Sequence, residues 1–186
     1  MSILYTLISN KPDSIICEYN ENYGNFLQLS RIILAKEIEP ETQRILLYNN
    51  HKFCYINENG ITFLCLSKDM EDKTMISFLI DVKNALYKTY DYNTILTAHA
   101  YQMGSFTNTI KDLAKHYQDL PRYSVSGELI NELKEAKNLI TKNISDLIDR
   151  DQKLELTVNN ASLLKDSAVH VSGYVRFKKH IKHNFI

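Results

Sequence analysis

The sequence predicts an α+β domain with a mainly antiparallel sheet, followed by a long helical segment. Two patterns support the domain: five short apolar runs of strand-like composition lie within residues 3–67, and amphipathic helical patterns lie between and after them. A third pattern, an apolar heptad repeat that begins at residue 129, supports the long helix. At 186 residues, the chain is long enough for one compact domain with an extension, but too short for two ordinary domains.

The first elements are two strands and a helix. Residues 3–9 (ILYTLIS) and 14–19 (SIICEY) are rich in β-branched and aromatic residues, and a polar turn separates them, so they predict two antiparallel strands. Residues 26–38 (FLQLSRIILAKEI) repeat apolar residues at helical spacing and stop before Pro40. They predict an amphipathic helix.

Three further strands and two helices complete the predicted domain. Residues 44–67 (RILLYNNHKFCYINENGITFLCLS) contain three apolar runs separated by turn-forming NN and NENG sequences, which predicts a three-strand meander. One helix is predicted from 74 to 90 and another from about 105 to 118, each with one apolar face. The inner faces comprise Met75, Phe78, Leu79, Val82, Leu86 and Tyr90 in the first helix, and Phe106, Ile110, Leu113 and Tyr117 in the second. We expect this domain, with its five-stranded antiparallel sheet flanked by helices, to occupy residues 1–120.

Composition argues against nucleic-acid and nucleotide binding. Lys+Arg 22 and Asp+Glu 22 give a formal net charge of +0, without the basic excess that phosphate binding requires. The five glycines lie far apart, which excludes a Walker-type loop and a G-x-G-x-x-G fingerprint.

Metal and catalytic chemistry also have little support. The three cysteines are unclustered within apolar runs, as is typical of reduced, buried residues. His51 and Cys54 are three apart on a predicted strand and face opposite sides, while His180 and His183 are isolated. We therefore expect no enzyme activity, no cofactor and no metal site. The N-terminus has no basic n-region and no apolar run approaches the ~18 residues of a membrane-spanning helix, so we expect the chain as given to be soluble.

Residues 121–128 predict a linker, because PRYSVSG contains a proline, a glycine and two serines. Beyond it, steps of four and three residues continue without a slip, and flanking apolar residues widen the stripe, which favours a bundle of more than two helices. The seam positions are Leu129, Leu133, Ala136, Ile140, Asn143, Leu147, Arg150, Leu154, Thr157, Ala161, Leu164, Ala168, Val171 and Val175.

Arg150 is the one charged residue of this seam. Burial of its guanidinium would cost several kcal/mol unless acceptors meet it. Two interpretations follow from the residues alone: either Arg150 extends out of the seam into water, or partner helices supply hydrogen-bond acceptors.

The stretch 148–154 (IDRDQKL), with Asn143 before it and Ala161 and Ala168 after it on the seam, resembles the core of an R-SNARE motif. The part before the linker resembles a longin domain, which has a profilin-like fold, through ILYTLIS, GNFLQLSRIILAKEI, HKFCYI, ITFLCLS and FLIDVKNALYKTY. Together these segments resemble the longin-bearing, synaptobrevin-like vesicle-associated membrane proteins of the tetanus-insensitive kind.

That resemblance implies a function in vesicle fusion. In this family, four parallel helices zip together, and the R-SNARE arginine, at the position of Arg150 here, hydrogen-bonds three glutamines of the partner helices. The implied partners are Qa, Qb and Qc SNARE helices, and the implied location is the cytoplasmic face of vesicle, endosomal or lysosomal membranes.

The sequence departs from the family pattern at three places. Thr157 and Ser126 occupy seam layers that are usually aliphatic, and Lys178 replaces an apolar residue, so the motif is expected at 129–177 and a basic tail at 178–186. The family continues into a transmembrane anchor, whereas this sequence stops after RFKKHIKHNFI. Two interpretations stay open: a fusion SNARE whose anchor is missing, or a soluble longin-SNARE that regulates or inhibits SNARE assembly.

The resemblance also implies that the SNARE segment folds back onto a groove between the first helix and the third strand of the domain. Sorting adaptors of relatives bind the same groove. We expect one wall to contain Leu29 and Ile33 from the helix and Ile45 and Leu47 from the strand, with Ile140, Ile144 and Leu147 inserted.

Overall fold

The computed structural model describes residues 2–119, 140–152 and 158–159. The described strands are β1 (Ile3–Lys11), β2 (Ser14–Asn20), β3 (Tyr23–Gly24), β4 (Thr42–Tyr48), β5 (His51–Glu58), β6 (Ile61–Ser67), β7 (Ile140–Asn143) and β8 (Val158–Asn159). The described helices are α1 (Phe26–Lys36), α2 (Asp72–Thr89), α3 (Tyr92–Thr97), α4 (Thr107–Asp119) and α5 (Ser145–Gln152), with a 3-10 turn at Gly104–Phe106.

The main sheet has the strand order β2-β1-β6-β5-β4-β7. All five strands predicted for the domain are present and pair antiparallel, as expected. Two tight turns join β4 to β5 and β5 to β6. Asn49 and Asn50 in the first, and Asn59 and Gly60 in the second, have positive φ angles, which suits the right-handed twist of a two-residue hairpin.

Helices cover the sheet on both faces. On one face, strand residues such as Ile8 and Phe63 pack with Phe78 of α2 and Ile110 of α4. On the other face, residues such as Tyr5 and Phe53 pack with α1. Because both faces are buried, β6 is buried along its whole length and shows no polar alternation.

Helix α3 and the 3-10 turn were not predicted. Within α3 the buried residue is Ile95, so a helix of six residues has no periodic signal in the sequence. A distant side chain ties its C-terminal end to β1: the Asn10 amide donates to the carbonyl oxygens of Ile95 at 2.9 Å, Leu96 at 3.1 Å and Ala98 at 2.9 Å. This contact is between residues 85 or more apart, which local patterns do not reveal.

The continuous helix expected from residue 129 to 175 is not what the described part of that segment forms. Residues 140–143 are a strand, 145–152 are a helix, and 158–159 are a two-residue strand. A lone heptad helix would leave its apolar stripe in water, whereas the edge of β4 offers both hydrogen bonds and an apolar surface. The sheet is consequently six-stranded and mixed, since β7 runs parallel to β4. The other heptad positions lie outside the described residues.

We expect the domain to lose stability in alkali because it contains buried tyrosines. Burial, and then a 2.6 Å hydrogen bond to the Glu18 carboxylate, raise the pKa of Tyr5; burial, and then a 2.5 Å hydrogen bond to Asp81, raise the pKa of Tyr117. The folded state keeps these protons while the unfolded chain, with a tyrosine pKa of about 10, releases them. Stability is therefore fully present below about pH 10 and falls as the pH rises above it.

The measurement is urea unfolding at about pH 8 and at about pH 11. We expect the free energy of unfolding to fall less between the two pH values in Tyr117→Phe than in the unaltered chain. Tyr23→Phe, at an exposed tyrosine, controls for removal of a hydroxyl. If the free energy of unfolding fell equally in Tyr117→Phe and in the unaltered chain, the Tyr117 hydroxyl would not contribute to the pH dependence.

Candidate functional site: the surface between the first helix and the edge of the sheet

An apolar surface lies between α1 and β4. We call it the α1–β4 surface and define it by Phe26, Leu29 and Ile33 of α1 and Leu46 and Tyr48 of β4, all buried in one cluster. The helical residues are three and four apart, so they share one face of α1. This cluster also contains two residues from the segment after the linker, so the surface is already occupied by the chain itself.

Strand β7 pairs in parallel with β4, which is otherwise the edge of the sheet. The register joins Arg44 to Ile140 and Leu47 to Asn143. The ladder continues one step further, where the Ile144 N–H donates to the Leu47 carbonyl oxygen at 3.0 Å. Backbone pairing of this kind satisfies donors and acceptors that an edge strand would otherwise present to water.

Two isoleucines anchor the segment on the α1–β4 surface. Ile144 is 1% exposed and Ile148 is 0% exposed, and both pack in the same cluster as Leu29 and Ile33. Ile144 directly precedes α5, and its carbonyl oxygen accepts from the Ile148 N–H at 3.1 Å, so the two side chains lie one helical turn apart on the same side. Leu147 is half-buried at the margin of this cluster.

The start of α5 has its own local support. The Asn143 side-chain oxygen accepts a hydrogen bond from the Ser145 N–H at 2.9 Å. Asparagine is favoured in such a turn because its short side chain reaches the backbone N–H two residues further on. The change from strand to helix is therefore encoded within the segment.

An ion pair fastens β7 to the end of α1. Lys142 Nζ lies 2.6 Å from Glu37 Oε2, and the Glu37 side chain is 7% exposed. The Lys142 side chain is 48% exposed, so the pair lies at the boundary between the protein and water.

A second attachment lies beyond α5. Strand β8 pairs antiparallel with β3, with Tyr23 opposite Asn159 and Gly24 opposite Val158. Since β3 comes directly before α1, backbone pairing holds the segment at both ends of the path from β4 to the start of α1.

The structure corrects two of the expected wall residues. Leu29 and Ile33 do pack with Ile144, but the side chain of Ile45 is buried in the cluster under α2 and α4, and Leu47 packs against that cluster. Both are register partners of β7 residues, Ile45 opposite Thr141 and Leu47 opposite Asn143. Leu46, which sequence reasoning missed, faces α1 instead, as does Tyr48, because successive strand residues point to opposite faces.

Ile148 and the Lys142–Glu37 pair were also missed as docking contacts. The spacing of Ile144 and Ile148 was visible as a flank of the heptad stripe, and it was the available signal for the buried face of α5. The ion pair joins residues 105 apart, and no sequence pattern indicates it.

Of the predicted seam, the structure describes Ile140 and Asn143 in β7 and Leu147 and Arg150 in α5. The side chain of Asn143 is exposed. The other seam positions lie outside the described residues: Leu129, Leu133, Ala136, Leu154, Thr157, Ala161, Leu164, Ala168, Val171 and Val175.

Within the described ranges, no group of three or more His, Cys, Asp or Glu side chains is arranged to hold a metal ion. Cys17, Cys54 and Cys65 are free and buried, and burial raises the pKa of the Cys54 thiol well above its usual value. A protonated, buried thiol is a poor nucleophile. In the same part of the chain, no helix has the length and apolar character needed to cross a bilayer.

This chain is similar to known proteins along most of its length. The family profile named Longin, described as a regulated-SNARE-like domain, matches residues 16–110. The chain is 29% identical over 185 residues to vesicle-associated membrane protein 7B of Dictyostelium discoideum, which covers 98% of this chain and 68% of that protein. It is 29% identical over 171 residues to vesicle-associated membrane protein 7 of Mus musculus and 28% to that of Homo sapiens, each covering 91% of this chain and 77% of the relative. The similarity to these relatives, whose names are not those of enzymes, thus extends past the domain into the heptad segment.

Proposed function

Because the chain belongs to the Longin family of regulated-SNARE-like domains, we propose that it is an R-SNARE of vesicle traffic whose longin domain holds its SNARE segment in a closed state. The observation that supports the proposal is the docking of residues 140–148 on the α1–β4 surface. The docked residues belong to the heptad segment, so the domain occupies part of the helix that partners would need.

On this proposal, the protein forms or breaks no covalent bond during fusion. Burial of apolar layers among four helices supplies the free energy that draws two bilayers together. Arg150 contributes the central layer, where glutamines of Qa, Qb and Qc helices accept its hydrogen bonds. A charged layer of this kind penalises shifted pairings and thereby sets the register of the bundle.

The closed state and the bundle are mutually exclusive at residues 140–143. A strand rises about 3.3 Å per residue and a helix about 1.5 Å, so the same four residues cannot be both at once. Assembly through this region therefore requires β7 to leave β4 first. The longin domain thus slows SNARE assembly.

Other ligands of the α1–β4 surface would compete with the segment. Sorting adaptors that bind this surface would select the open state, which would link cargo sorting to readiness for fusion. We place the protein on the cytoplasmic face of vesicle, endosomal or lysosomal membranes. Arg176, Lys178, Lys179 and Lys182 would add weak attraction to anionic lipids, at about 1 kcal/mol per residue.

The test is to mix the chain, and separately a peptide of residues 126–178, with Qa, Qb and Qc SNARE helices of endosomal sets. We expect a gain in helix by circular dichroism and a complex that melts well above the separate components, formed faster by the peptide than by the whole chain. The absence of a complex with the peptide would refute the R-SNARE proposal. Equal rates of complex formation for the peptide and the whole chain would refute the proposal that the longin domain slows assembly.

A further inference from the structure

Backbone pairing alone does not determine which segment docks on β4, or in which register. Its hydrogen bonds are made by peptide groups that every strand possesses. A slip of one residue would turn Ile144 away from the α1–β4 surface, because the side-chain period of a strand is two. A slip of two residues would keep the alternation, so some other contact must oppose it.

The Lys142–Glu37 ion pair is placed to oppose such a slip. In the observed register Lys142 lies opposite Leu46, and its Nζ is 2.6 Å from Glu37 Oε2. The residues two before and two after Lys142 are Ile140 and Ile144. A slip of two in either direction would therefore bring an isoleucine to Glu37 in place of a cation.

Glu37 is held in place independently of the segment. Its N–H donates to the Ile33 carbonyl oxygen at 2.9 Å, closing the last turn of α1, and its carbonyl oxygen accepts a hydrogen bond from the Tyr55 hydroxyl at 3.1 Å. Its side chain is 7% exposed in the docked state. A carboxylate covered in this way without a cation would be strongly unfavourable.

We propose that Glu37 determines the specificity of the α1–β4 surface, by requiring a cation at the strand position that Lys142 occupies. This inference rests on the proposed closed state and adds the chemistry that selects its occupant. Any segment that replaces β7 would then have Lys or Arg two residues before its first apolar anchor and six before its second, as Lys142 precedes Ile144 and Ile148.

The test is hydrogen exchange at the backbone amides of residues 140–148 in the full chain. Lys142→Gln should raise their exchange rate about tenfold, because the Glu37 carboxylate would be covered without a charge partner. Lys142→Arg should leave the rate near that of the unaltered chain, since arginine keeps the charge. Lys68→Gln, which removes an exposed lysine elsewhere, is the matched control.

The charge swap completes the test. Glu37→Lys alone should raise the exchange rate, and Glu37→Lys combined with Lys142→Glu should lower it again, which a loss of packing would not do. The Lys142 side chain is 48% exposed, so its variants test the pair even if a Glu37 variant fails to fold. Equal exchange in Lys142→Gln and the unaltered chain, with protection in both, would overturn the specificity role alone. Unprotected amides at 140–148 in the unaltered chain would overturn the closed state itself.

Discussion

Replacing Ile148 with Asp is expected to release the docked segment from the longin domain while leaving SNARE assembly intact. Ile148 is 0% exposed in the α1–β4 cluster, and a carboxylate there would cost at least about 3 kcal/mol, which favours the open state more than a hundredfold. In a helical bundle, Ile148 projects roughly 90° or more away from the middle of the predicted seam, so the same change would be solvated. The docked state thus buries a residue that lies off the predicted seam.

Limited proteolysis measures the first effect and the rate of complex formation measures the second. We expect faster cleavage within residues 140–152 and faster assembly with Q-SNARE helices. Ile144→Asp should open the segment in the same way, because Ile144 is 1% exposed in the same cluster. Thr141→Asp introduces the same charge at an exposed position of β7 and is the control. Cleavage of Ile148→Asp at the rate of this control would show that the isoleucine does not hold the segment.

Replacing Arg150 with Asp should abolish the high-melting complex with Q-SNARE helices. In the proposed bundle, the guanidinium is enclosed among glutamines. Substituting a carboxylate removes the donors that the glutamine oxygens accept from and places an anion that can only accept in that layer. Breaking a buried charged contact on one side typically costs about 3–5 kcal/mol. The expected observation is a large drop in the melting temperature of the complex, followed by circular dichroism.

The longin domain provides an internal reference for this variant. The melting of the unmixed chain, measured for each variant, separates a loss of assembly from a loss of domain stability. Lys153→Asp makes the same change of charge at a neighbouring position off the predicted seam, and its complex should melt close to that of the unaltered chain. If Arg150→Asp and Lys153→Asp complexes melt alike, Arg150 is not a central-layer residue.

The sequence located the elements of the domain more reliably than the faces of its strands. The hairpin turns were predicted because Asn and Gly at adjacent positions tolerate positive φ, which is a local property. The faces of β4 were not, because Ile45, Leu46 and Leu47 are consecutive apolar residues of a sheet covered on both sides. Alternation of apolar and polar residues is the signal that distinguishes two faces, and a doubly covered strand does not have it.

In the heptad segment, too, the sequence pattern predicts one structure and the tertiary contacts determine another. Its repeat predicts a helix that partners would complete, but the repeat does not say what the residues do when those partners are absent. In the closed chain, β4 and α1 supply the missing hydrogen bonds and apolar contacts, so residues 140–143 become a strand and Ile148 is buried.

The sequence by itself determined the order of strands and helices in the domain, the turns between the central strands, and the resemblance to longin R-SNAREs. These depend on short-range spacing and on backbone preferences of single residues. Only the tertiary structure decided which edge of the sheet the segment joins, which residues of β4 face it, and that Lys142 meets Glu37 across 105 residues of chain. Such contacts depend on surfaces that exist only after the sheet has formed. Local sequence patterns therefore do not indicate them.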